Sequence, residues 1–163
     1  MTYEYDGIGI YPKHTVMGLV SFKILNSNNE QIYRINIDDT QDTVTIKLNV
    51  IANILPSFLD TLDGKDFARV YLDVSAHGAA VAFQYIDLPI SQIKQENTNL
   101  VNLTYEFTVP SNLSIKNSTT ENSTFKLSSI DIRLAFSNKS HHEMGFGETM
   151  RIGTFISTRI MVN

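Results

Sequence analysis

The chain has 163 residues, no cysteine and a formal charge of -4. That length suits one domain spanning residues 1–163, able to bury roughly two-thirds of its unfolded surface without a disulfide or structural metal. The acidic balance excludes a phosphate-tracking surface, so no nucleic-acid partner is expected, and the lack of thiols excludes thiolate metal sites and cysteine nucleophiles. Charged residues make up 18%, against about 25% in ordinary globular domains. Asn, Ser and Thr supply the polarity instead, and these residues favour turns and strand surfaces over helix interiors.

The first segment, "YEYDGIGIYP", sets Tyr3, Tyr5 and Tyr11 around Gly7 and Gly9. Tyrosine combines a large apolar face with a polar tip, which suits stacking on a sugar or anchoring an interface; the plainer reading is an edge strand closing one end of a core. No basic region with a following apolar run marks a signal peptide, and no stretch approaches the roughly 20 apolar residues of a membrane span. A chain made in the cytoplasm, residing there or in a virion and contacting no membrane, is the expectation.

Residues 16–25 and 31–37 read as strands, separated by the turn-forming "NSNN". The following "DDTQD" offers Asp38 and Asp42 at a spacing that can wrap calcium, but Thr43 and Asn49 stand where an EF-hand needs Gly and Glu. A hairpin turn capped by Asx side chains is the simpler reading. Residues 43–55 alternate strictly: Val44, Ile46, Leu48, Val50, Ala52 and Ile54 share one face, opposed by Thr43, Thr45, Lys47 and Asn49. Successive side chains of a strand point to opposite faces, so this is a half-buried strand.

"PSFLDTLDG" at 56–64 is the one candidate short helix, stopped by Gly64. Its Asp60 and Asp63, with Asp66, stand close together, but acid/base glycoside cleavage needs carboxylates opposed across a cleft. Strands follow at 67–74 and 80–88 around "HGA", then a single turn at 90–95. In 100–109, Val101, Leu103, Tyr105, Phe107 and Val109 oppose Asn102, Thr104, Glu106 and Thr108, and Pro110 stops the ladder. Residues 110–124 read as a long polar loop. In 125–136 the apolar phase shifts between Leu127 and Ile130, which predicts a β-bulge near Ser128 and Ser129.

"SNKSHHEMGFGETM" holds His141, His142, Glu143 and Glu148. The H-E-x-x-H zinc pattern fails at Phe146, and Gly145 and Gly147 oppose a helix. A metal site from His141 or His142 with Glu148 or His77 is the chemical reading, and a solvated loop the plain one. A last strand covers 150–162. Five N-x-S/T triplets, starting at Asn102, Asn112, Asn117, Asn122 and Asn138, are what such a composition produces by chance.

About eight strands with hairpin-length connections and at most one short helix describe an all-β, antiparallel, jelly-roll-like β-sandwich, since parallel sheets need helical crossovers. The sequence has no G-x-S-x-G elbow, Walker loop or G-x-G-x-x-G turn, so the expectation is a non-enzymatic protein with no cofactor. Apolar residues on the second strand faces, Ile51, Leu55, Phe155 and Met161, call for a cover by neighbouring subunits or by the fold itself.

In composition and architecture the chain resembles the cysteine-free, Asn/Thr-rich β modules of bacteriophage tails, baseplates and capsids. The resemblance implies a structural or adaptor subunit, homo-oligomeric and contacting other structural proteins. The alternatives are a module binding surface glycans through loop-borne Tyr, Asn and Asp, with or without calcium, and a metal-dependent hydrolase at His141, His142 and Glu148.

Overall fold

A computed structural model describes residues 3–5, 10–12, 17–38, 40–54, 66–95, 100–116, 122–137 and 154–163. Its strands are β1 (Tyr3–Tyr5), β2 (Ile10–Pro12), β3 (Met17–Leu25), β4 (Arg34–Ile35), β5 (Thr43–Ile54), β6 (Phe67–Ala76) and β7 (Ala79–Pro89). A six-residue helix, α1 (Ile90–Gln95), precedes β8 (Leu100–Pro110), β9 (Asn112–Lys116), β10 (Asn122–Lys126), β11 (Ser129–Ser137) and β12 (Thr154–Val162).

The strict alternation of β5 and β8 becomes the centre of a three-stranded sheet ordered β3-β5-β8. Ile46, Leu48, Val50 and Ala52 stand directly opposite Phe107, Tyr105, Leu103 and Val101, and all eight are buried. A second sheet of five strands runs β4-β12-β11-β6-β7. Val70, Leu72 and Val74 of β6, with Ile132 and Leu134 of β11, join the residues of the first sheet in one continuous core. The chain is thus an all-β sandwich in which, among the described residues, every strand pair is antiparallel except β12 with β4.

Its strand order is that of an immunoglobulin-type sandwich: first, second and fifth sandwich strands on one side, the two central hairpin strands and the last two on the other. The pairings do not establish a jelly roll. Hairpins β1–β2 and β9–β10 stand outside the two main sheets.

A hydrogen bond within the core ties the layers together. The Tyr105 hydroxyl, on β8, donates across the core to the Val70 carbonyl on β6 at 2.8 Å. Helix α1 closes one end by burying Ile90 and Ile93, and the Ile90 N–H donates to the Asp66 carbonyl at 3.0 Å. Hairpin β6–β7 turns on two residues, His77 at φ 50° and Gly78 at φ 78°. Two successive residues of positive φ make the type I′ turn whose twist matches the flanking strands.

Three expectations need correction. Residues 31–37 form only the two-residue strand Arg34–Ile35 and an isolated bridge of Gln31 to Leu25, because this stretch carries the chain from the first sheet to the edge of the second. Residues 110–124 contain paired strands rather than only a loop: Leu113 and Ile115 alternate with Ser114, and Phe125 stands opposite Leu113. The phase change before β11 is a break between strands, not a bulge. Phe125 belongs to β10 and is 44% exposed, whereas Leu127, after the break, is buried in the core. The register shifts that do occur lie at Leu19/Ser21, Val74/Ser75 and Leu134/Ala135. The candidate helix at 56–64 lies outside the described residues.

Candidate functional site

Strand β6 is buried on both faces. Ala68, Val70, Leu72 and Val74 point into the core, so Arg69, Tyr71, Asp73 and Ser75 belong to the opposite face of the five-stranded sheet. Ladder register sets Arg69 beside Asp87, Tyr71 beside Tyr85 and Asp73 beside Phe83 on β7, while Asp73 and Tyr71 face Arg133 and Ala135 on β11.

These neighbours form an ordered array. The Arg69 guanidinium donates two hydrogen bonds to Asp87, at 2.6 and 3.0 Å, in a bidentate fork. The same guanidinium carbon lies 3.8 Å from the centre of the Tyr85 ring and 5.4 Å from that of Phe67. Hydrogen bonding to Asp87 raises the Arg69 pKa above its ordinary value, against the opposing effect of burial, so the group is a permanent cation. Tyr71 stacks on Phe83 at 5.7 Å between ring centres and meets Tyr85 at 6.0 Å.

Further along the face the Asp73 carboxylate, 0% exposed, stands 3.9 Å from the Arg133 guanidinium. Arg159 forks onto Asp131 at 2.7 and 3.2 Å. Charge on this face is therefore internally matched, and the aromatic rings are held by their neighbours within the chain.

The face runs out into β7, an edge strand of eleven residues. Tyr85 on this strand is 49% exposed. Gln84 turns the other way, and its amide donates to the Glu106 carbonyl of β8 at 2.8 Å, bridging edge strands of the two sheets.

A separate polar groove of about 190 Å³ is lined by Asp38, Gln41, Asp42, Asn112, Lys126 and Asn163, among others. Asp38 is engaged locally: its carboxylate accepts the Thr40 N–H at 3.0 Å, and its carbonyl accepts that of Gln41 at 2.8 Å. That is an Asx-capped turn. The Asp42 carbonyl accepts the Ser111 N–H at 2.8 Å, tying the turn to the end of β8. The amides, carboxylates and ammonium around the groove can pair with hydroxyl groups of a small polar ligand.

Of the other residues singled out by sequence, Tyr3, Tyr5 and Tyr11 lie on hairpin β1–β2, where Tyr11 stands opposite Glu4 rather than opposite another tyrosine. His141, His142 and Glu148 lie outside the described residues, as do Asp60 and Asp63. His77 sits in the β6–β7 turn with its ring 6.0 Å from that of Phe125. Among the described residues no three His, Asp or Glu side chains gather as a metal site, and no helix is long and apolar enough to cross a membrane. The array around Arg69 escaped sequence reasoning, although its signal was present as period-2 spacing of Arg69, Tyr71 and Asp73 against Phe83, Tyr85 and Asp87.

Comparison with known proteins finds no matching family and no matching curated sequence. Among solved structures, the chain is similar to a beta-glucosidase from Listeria innocua in complex with glucose, at 12% identity and a TM-score of 0.35. The isofagomine complex of that enzyme gives 13% and 0.35, and a substituted form with laminaribiose 13% and 0.34. The chain is covered to 88% in the glucose complex but spans only 16% of the enzyme's length. Likeness at this level carries no argument about fold or activity.

Proposed function

We propose that the domain is a non-enzymatic structural or adaptor module that acts through its surface in a homo-oligomeric assembly, of the kind that builds a bacteriophage tail, baseplate or capsid. The observation that supports this reading is the outer face of the five-stranded sheet. Its charges are matched within the face, by Arg69 with Asp87 and Arg159 with Asp131, and its rings are packed on one another up to the edge strand β7. A surface ordered in advance loses little side-chain freedom on contact, and reduced ordering cost is what lets a modest area bind. Light scattering on the eluting full chain tests the reading: a mass above one chain supports it, and one chain at every loading concentration contradicts it.

A second reading draws on the groove at Asp38 and Asp42. Its mix of amides, carboxylates and one ammonium suits a hydroxyl-rich ligand, hence a surface glycan, with calcium as an aid if the two aspartates share it. A glycan array with and without chelator distinguishes the readings, since silence in both arms removes the second.

A further inference from the structure

We infer that β7 is the self-association edge of this protein: two copies pair their β7 strands antiparallel about a two-fold axis at Gln84, joining two five-stranded sheets. This rests on the homo-oligomeric reading above and names the surface and the register.

The two edges of the five-stranded sheet differ sharply. One is β4, only two residues long. Very short edge strands are a common protection against unwanted pairing. The other is β7, eleven residues with no Lys or Arg and no Pro before its last position, so the lysine and proline guards are missing, and its one irregularity, the extra residue between Ala80 and Ala82, lies outside the central Phe83–Tyr85 segment. Among the described residues no strand occupies its outer side.

The strand is also complementary to itself. A two-fold at Gln84 sets Phe83 of each copy opposite Tyr85 of the other on the outer face, and Ala82 opposite Ile86 on the inner face. Aromatic pairs across antiparallel strands are favourable, and like charges directly opposite are not. The one ionised residue of the strand, Asp87, falls opposite Val81 and is already held by Arg69, so no like charges meet. Centring one residue later, at Tyr85, would instead place each Asp87 against Phe83.

Both aromatic residues of the pair are fixed in the single chain, Phe83 by stacking on Tyr71 and Tyr85 by the Arg69 guanidinium. The half of Tyr85 that remains exposed is the surface a second copy covers. A single-strand contact is narrow beside the roughly 800 Å² per partner of a standard interface, so the expected dimer is reversible, with dissociation at micromolar to sub-millimolar concentration.

The absence of cysteine gives a clean test. Residues directly opposite in an antiparallel pair have Cα atoms about 4.5–5.5 Å apart, within disulfide reach. Under mild oxidation at about 200 μM, Gln84→Cys is expected to form a disulfide dimer at least about tenfold faster than Asn28→Cys, a control in the exposed β3–β4 turn. Gln84→Lys and Gln84→Glu, each monomeric alone through like-charge opposition, are expected to restore the dimer when mixed. If the native chain associates while Gln84→Cys cross-links no faster than the control and the charge variants still self-associate, this edge is wrong and the homo-oligomeric reading survives. A native chain that stays single at every concentration overturns both.

Discussion

Replacing Tyr105 by phenylalanine removes the hydroxyl that donates to the Val70 carbonyl across the core, and its effect on stability should change sign with pH. At pH 7 the variant loses a buried hydrogen bond of 2.8 Å. Such a bond is worth about 1 kcal/mol net, or about 2–4 °C in melting temperature for a domain of this size. Burial raises the Tyr105 phenol pKa well above its ordinary value, while the unfolded chain titrates near 10. Stability tied to the neutral phenol is therefore complete below about pH 10 and drains as pH rises from there towards the raised folded pKa, because only the unfolded chain gives up its proton. At pH 11 that loss is about 1.4 kcal/mol. Phenylalanine has no proton to release, so the two stability curves should cross between about pH 10.5 and 11. Urea unfolding of both proteins at a series of pH values measures this, with contributions common to the other tyrosines cancelling in the difference. Parallel curves from pH 7 to pH 11 would refute the buried, donating phenol.

Leu72→Ala, at a fully buried position of β6, should cost about 2–5 kcal/mol in chemical denaturation, because the central strand cannot collapse into the space left. Asp87→Ala should cost about 2 kcal/mol, since it strands a nearly buried guanidinium, though the partial exposure of Asp87 discounts the figure; no change in melting would contradict the bidentate pair. Gly78→Ala should cost about 1 kcal/mol through its φ of 78° alone, as a Cβ there meets nothing within 4 Å. His77→Asn, at φ 50°, should leave melting unchanged or slightly higher, because asparagine tolerates the left-handed region better.

The eight expected segments all contribute strands to the two main sheets, and the clearest, β5 and β8, pair with each other over eleven positions. They were legible because each buries one face only, which writes the period of the strand directly into the sequence. Strand β6 is less regular: both faces are covered, so Arg69, Tyr71 and Asp73 sit among apolar residues and the alternation encodes partners rather than exposure. The β9–β10 hairpin escaped notice because it carries mainly polar residues and few apolar ones, leaving Leu113, Ile115 and Phe125 as its only apolar marks. Strand order was not legible at all. Pairing joins residues far apart in the chain, as Ile130 with Ile160, and nothing local specifies such a partner.

Groove residues Asp38 and Asp42 were found as turn formers with oxygen ligands, and the Asx-capped turn accounts for Asp38. What sequence could not give is that Lys126 and Asn112, from the β9–β10 hairpin, line the same groove, because that depends on where the hairpin docks.

Sedimentation equilibrium on the full chain, from about 10 μM to several hundred micromolar, addresses the assembly claim most directly. The account predicts a weight-average mass that climbs from 18.4 kDa towards twice that value as concentration rises. A mass fixed at 18.4 kDa across the whole range would contradict it.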